Sequence, residues 1–237
     1  GRHWFSARVQ TAGRGRRGRS WTDSSGNLAA SLLVLTDTAP ATAATLGLVM
    51  GGLLGGPVGT WLIRRHHLKS QAPATVHLLA VSKTKPASAV AAALDAGQRD
   101  FGENYLQDAL PKIAQYPQAT WHFIGQIQSN KAKDIATHFD VVHGLASEKI
   151  ARRLNDARPI GCPPLKAFIQ VNLVNESAKN GVVPEALPSL VTRVQDCQNL
   201  QLLGLMAMPP ATFDLSERHR FFSELAGLQA QIRADFD

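Results

Sequence analysis

Cysteine is scarce in this chain of 237 residues: Cys162 and Cys197 stand far apart with no CxxC spacing. That argues against a zinc site and a disulfide framework, so no metal is expected, and it fits a reducing, cytoplasmic setting. No GxGxxG follows the first clear strand, which weighs against dinucleotide binding. The chain starts at Gly1 without methionine and lacks the basic-then-apolar order of a secretory signal, so its start reads as the edge of a fragment. Charge is absent from Thr38 to Ile63, a run long enough to cross a bilayer and flanked by Arg64 and Arg65. Gly47, Gly51, Gly55 and Gly59 recur there at the four-residue spacing of close-packed membrane helices. Six glycines and Pro57 make that run a poor helix, however, and a membrane span is not the preferred reading.

The formal charge of +7 comes entirely from one end. Residues 1–72 hold nine Lys/Arg against Asp23 and Asp37, while residues 73–237 balance 16 basic against 16 acidic side chains. The two parts are different kinds of sequence, and the larger carries no electrostatic signature of specific nucleic-acid binding. In the smaller part, Phe5–Val9 and Leu28–Leu35 read as strands around a Gly/Arg/Ser-rich loop, and Pro40 opens an Ala/Leu helix. Residues 53–75 have no assignable pattern.

From His77 onward short apolar runs alternate with amphipathic stretches, the mark of βα units on a parallel sheet. Strands are expected at 77–82, 100–104, 120–124, 140–145, 166–173 and 201–207, with helices at 87–97, 105–115, 129–138, 147–157, 184–197 and 215–234. Six such units suit either a doubly wound sheet or a (β/α)8 barrel. Both folds gather useful residues at the carboxyl ends of the strands. Those ends read Lys83 with Lys85, Glu103 with Asn104, His122 through Gly125, His143, Asn172 with Asn175, and Met206 through Pro209, a polar ring with one apolar wall. A lysine at such a mouth can be desolvated towards the neutral amine that attacks an aldehyde. Position alone favours the plainer readings: solvated loop lysines ahead of a helix start at Pro86, and a core or ring-lining histidine at position 122.

The segments LLAVSKTKP (78–86), FGENY (101–105), WHFIGQIQSNK (121–131) and GLMAMP (204–209) resemble, in order and spacing, the hallmarks of the pyridoxal 5′-phosphate (PLP) homeostasis proteins. That resemblance implies a partial (β/α)8 TIM barrel of the alanine racemase N-terminal type, with six βα units and a small α+β fragment before it. It implies PLP as cofactor, held as a Schiff base on Lys83, with Asn104, His122 and Met206 around the ring and Ser129 and Asn130 in a neighbouring loop. Lys179 falls in the loop after the fifth strand, at the cofactor face. The family is regarded as a PLP carrier with no established reaction, so no catalytic residue is expected. No arginine or tyrosine stands at the six strand ends to clamp a substrate carboxylate, which weighs against the rival reading of a racemase-like enzyme. A monomer that hands its cofactor to PLP-dependent apo-enzymes is implied. The family continues for two further βα units whose segments bind the phosphate, so this chain is expected to discriminate poorly between PLP and pyridoxal.

Residues 8–51, with RVQTAGRGRRGRSW and then GNLAASLLVL, resemble the substrate loop of biotin protein ligases. In that family the loop closes over an adenylate, which would assign anion contacts to Gly13, Arg14, Gly15, Arg16, Arg17, Gly18 and Arg19. Glycines let the backbone approach an anion, and arginines supply forked donors. A basic arm for any polyanion is the plainer alternative. The ligase's catalytic lysine segment is absent, and ligase activity is not expected. Together these readings divide the chain into 1–52, a ligase-like fragment; 53–75, a junction; and 76–237, the PLP-binding barrel. They imply a truncated or misjoined frame.

Overall fold

The alternation of apolar runs and amphipathic stretches folds as its periods require. The computed structural model describes residues 76–174, 180–210 and 212–236, together with the backbone of four short strands nearer the N-terminus. Those four are β1 (Gly13–Arg14), β2 (Ser20–Trp21), β3 (Leu35–Thr36) and β4 (Thr45–Val49). The main series is β5 (Val76–Val81), β6 (Asp100–Glu103), β7 (Thr120–Phe123), β8 (Val141–Leu145), β9 (Leu165–Gln170) and β10 (Leu200–Met206). Each is followed by a helix: α1 (Ala87–Asp95), α2 (Leu106–Gln115), α3 (Ala132–His138), α4 (Glu148–Ala157), α5 (Leu187–Gln195) and α6 (Leu215–Phe236). Short 3-10 turns, Ser129–Lys131 and Pro184–Ala186, lead into α3 and α5. Strands β5 to β10 pair in chain order, all parallel, as expected of a partial barrel.

Local chemistry sets the helix limits. Helix α1 stops where Gly97 takes φ 81°, with Gly97 N–H donating to Leu94 O at 2.8 Å and Gln98 N–H to Ala93 O at 2.9 Å. This pairing satisfies carbonyls that would otherwise be orphaned, and it needs a left-handed residue that glycine supplies without a Cβ clash. Ser147 caps α4 by accepting from Ile150 N–H, and Glu148 sits in the first turn, where the helix dipole favours an anion.

The sheet is buried on both faces, and the strand period of two divides the apolar residues between them. Ala80, Phe101, Trp121, Phe123, Val142, Ala167, Ile169 and Leu205 pack in one large cluster with the helices. Their chain neighbours Leu79, Val81, Val141, Phe168 and Met206 form a smaller cluster on the opposite, interior face. Continuing that alternation past β5 sends Ser82 to the helix side and Lys83 to the interior.

One expectation for the N-terminal part is corrected. The stretch after Pro40 contains strand β4 in place of an Ala/Leu helix, and it runs parallel to β5 with Thr45 opposite Val76 and Val49 opposite Ala80. Strand β3 lies antiparallel against β10, so the six-strand series does not end in two unpaired edges. The physical reason is shared: exposed edge N–H and C=O groups are satisfied by adding strands, and that gain outweighs a weak helix preference in a glycine-rich run. The expected strand Phe5–Val9, most of the Gly/Arg loop and the junction lie outside the described residues. Within the loop region only β1 and β2 are described, paired antiparallel.

Backbones crowd where the carboxyl ends of β6 to β8 meet. A Cβ on Gly125 would stand 2.5 Å from Asn104 O, whereas one on Gly227, in α6, would meet nothing within 4 Å. The two Gly→Ala changes should therefore have opposite signs. Gly125→Ala is expected to destabilise by about 1–3 kcal/mol through overpacking against backbone. Gly227→Ala should stabilise by about 0.5–1 kcal/mol through helix propensity. Urea unfolding of the two variants checks the pair, and equal effects would contradict the crowding.

Candidate functional site

Strand β5 delivers its last residues to a tight turn at the carboxyl end of the sheet. Ser82 N–H donates to Gly102 O at 3.0 Å, and Ser82 O accepts from Lys85 N–H at 3.0 Å, which closes the turn with Thr84 at φ 63°. A threonine in the left-handed region is uncommon, and such conformations persist where surrounding contacts fix them. Lys83 is half-buried in this turn. Burial pushes its ammonium below the ordinary value, and the Glu103 carboxylate partly offsets that by favouring the charged form. The result is an amine more readily neutral than a surface lysine.

Beneath the turn lies a charged cluster on the helix side. Glu103, with no exposed surface, accepts from Ser82 Oγ at 2.6 Å and from Lys112 Nζ at 2.7 Å, both on Oε1. Lys112 Nζ also donates to Ser82 O at 2.9 Å. The second carboxylate oxygen, Oε2, is buried without a hydrogen-bond partner. Sequence reading placed Glu103 at a strand end but gave it no role, and it missed Lys112. The available signal was a lysine on the apolar stripe of α2, three residues after the buried Ala109.

A second buried chain crosses the interior. His122 Nε2 faces Asp100 Oδ1 at 3.3 Å, and His122 Nδ1 faces His143 Nε2 at 2.9 Å. The His143 ring lies against Phe168 with centroids 4.9 Å apart. Burial holds His143 well below its ordinary value, with the neighbouring His122 acting in the same direction, so it stays neutral. Its Nδ1 is buried without a partner. A bare lone pair is the cheaper group to orphan, so Nε2 of His143 carries the hydrogen and donates to His122 Nδ1. His122 then presents its own hydrogen, on Nε2, to Asp100.

The other expected residues fall as follows. Asn104 follows Glu103 at the carboxyl end of β6, half-buried, with its carbonyl against Gly125. Met206 is buried among the interior apolar residues and forms part of the floor. His122 sits lower than its place at a strand end suggested: it is level with Gly102 and through it with Val81, two residues before Lys83, and both its ring nitrogens are engaged. Ser129 and Asn130 form the turn before α3, and Ser129 O accepts from Arg153 at 2.8 Å. Asn172 is buried at the end of the β9 segment. Lys179 and Asn175 lie outside the described residues, as does the anion loop apart from the backbone of Gly13 and Arg14. Among the described residues no helix is long and apolar enough to cross a membrane.

The alanine racemase N-terminal domain family matches residues 64–234, and the sodium/glutamate symporter family matches residues 22–96, a minor part of the chain. The pyridoxal phosphate homeostasis protein of Pseudomonas aeruginosa is 51% identical over 167 residues, 70% of this chain and 73% of that protein. Its namesake in Vibrio cholerae is 46% identical over 168 residues, 68% of this chain and 71% of that one. Among solved structures, PipY of Synechococcus elongatus with PLP bound aligns with a TM-score of 0.69 at 34% identity, covering 73% of this chain and 82% of PipY. The alanine racemase of E. faecalis shares the fold, with a TM-score of 0.58 at 16% identity.

The neutral, buried His143 gives a pH dependence whose sign follows from linkage. Its folded value lies well below the ordinary 6.5, so as pH falls past 6.5 the unfolded chain takes up a proton that the folded chain refuses. The contribution is fully present above that value and is lost on acidification, at about 1.4 kcal/mol per pH unit for one proton. Urea unfolding between about pH 7 and pH 5 should show His143→Gln, which keeps a donor towards His122, with a slope shallower by that amount. Parallel slopes in the two proteins would refute the assignment.

Proposed function

Because this chain belongs to the alanine racemase N-terminal domain family, and within it to the pyridoxal phosphate homeostasis proteins, we propose that it binds PLP through a covalent Schiff-base link to Lys83 and acts as a carrier, not a catalyst. The observation that carries the assignment is the position of Lys83: a half-buried amine at the carboxyl end of a parallel strand, with its basicity lowered by burial. PLP, when bound, supplies an electrophilic carbonyl and a conjugated ring. The residues present suit it. Lys83 is the nucleophilic anchor, Asn104 flanks it on the next strand, and Met206 belongs to the apolar floor. His122 acts from one layer below through its bond to His143, whose unpartnered Nδ1 offers the interior a hydrogen-bond acceptor.

The carrier reading includes PLP-dependent apo-enzymes as recipients, a monomeric state and a cytoplasmic setting. It treats residues 76–237 as the barrel, 53–75 as the junction and 1–52 as a biotin protein ligase-like part whose Gly13–Arg19 loop would meet an anion. The chemistry of that loop, glycines between forked guanidinium donors, is what supports its inclusion.

Adding PLP to the full chain should produce a visible absorbance band that borohydride abolishes. Tryptic mass spectrometry should then find the cofactor fixed on Lys83. The band should be absent in Lys83→Ala and present in Lys85→Ala, because Lys85 is the turn residue that closes onto Ser82 and not the anchor. A tag on Lys85, or a full band in Lys83→Ala, would overturn the assignment.

A further inference from the structure

The buried cluster on the helix side of β5 has no place in a simple list of cofactor contacts, yet it grips the residue that precedes Lys83 at two atoms. Ser82 Oγ donates to Glu103, and Ser82 O receives Lys112 Nζ as well as the turn's own Lys85 N–H. Carboxylate and ammonium are 91% or more buried, and a charge pair so far from water is retained only where each member is well paired. The carboxylate is nonetheless left with Oε2 bare, so its field is incompletely quenched inside the protein.

We propose that Glu103 and Lys112 are positioning residues that together hold the Ser82–Lys85 turn and set the charge of Lys83 from behind the sheet. This deepens the assignment of Lys83 as the cofactor lysine and rests on it. Glu103 from β6 favours the ammonium form of Lys83, and Lys112 from α2 limits that influence by neutralising the same carboxylate. Other titratable groups on adjoining elements include Lys85 on the turn itself, Asp100 on β6, which faces His122, exposed Asp108 on α2, and the paired His122 and His143 on β7 and β8, with His143 held neutral. The two partners therefore push Lys83 in opposite directions. Loss of the anion should leave Lys83 more often neutral, and loss of the cation should leave it more often charged.

Trace labelling with acetic anhydride near pH 8 reads this without PLP, using Lys85 in the same protein as internal reference. In Glu103→Gln, which is isosteric and keeps an acceptor for Ser82 and Lys112, labelling of Lys83 relative to Lys85 should rise by about threefold or more. In Lys112→Met it should fall by a similar factor, with the labelling midpoint displaced to higher pH, and Lys112→Arg should restore the ratio towards the parent. Should Lys112→Met fail to fold, the rise in Glu103→Gln alone decides. Unchanged ratios, or changes of the same sign in both folded variants, would overturn the proposal, because a merely structural loosening has no reason to split by charge. The reagent is independent of the cofactor, so a failure of PLP to bind would sink the functional assignment and leave this result standing.

Discussion

A carboxylate buried with no exposed surface must be held by a cation and by hydrogen bonds, and in this protein meeting that need at Glu103 ties three elements into one unit. Strand β5 contributes Ser82, strand β6 the carboxylate and helix α2 the ammonium of Lys112. Removing one member would strand a charge, whereas the complete set makes the junction of β5, β6 and α2 specific. The turn that carries Lys83 is built on this junction. The left-handed Thr84 and the bond from Lys85 N–H to Ser82 O are affordable to the backbone because Ser82 is already held at its amide, hydroxyl and carbonyl.

The same period of two that sends Ser82 to the helix side sends Lys83 to the interior, so structure and chemistry occupy opposite faces of adjacent residues. On the interior the floor is apolar, with Leu79, Val81, Val141, Phe168 and Met206, and the polar chain from Asp100 through His122 to His143 runs through it. Burial of the Lys83 amine is what depresses its basicity. Carrying a cofactor asks little more of a protein than a reactive amine, a surface for the ring and a route in.

Much of this was legible in the residues themselves. The strands at 77–82 and 201–207 and the helix at 87–97 come from apolar periodicity, which survives into the fold because both faces of a parallel sheet are buried. Lys83 was legible as a strand-end lysine, but the choice of PLP came from the four segments LLAVSKTKP, FGENY, WHFIGQIQSNK and GLMAMP in register and not from composition. What periodicity could not show was partnership across the sheet. Glu103 and Lys112, nine residues apart, meet because α2 folds back onto β6, and Asp100, His122 and His143 meet because β6, β7 and β8 pair. Strand β4 escaped for a related reason: its glycine-rich run has little intrinsic preference, and the β5 edge decides its conformation.

The central claim is that the Ser82–Glu103–Lys112 unit presents Lys83 as the attachment point for PLP. A crystal structure of the full chain reacted with PLP tests it most directly. The account predicts continuous electron density from Nζ of Lys83 into the cofactor, with Met206 beneath the ring and the Ser82, Glu103 and Lys112 contacts in place. Density joined to another lysine, or a cofactor seated on the interior face with Lys83 turned away from it, would contradict the account.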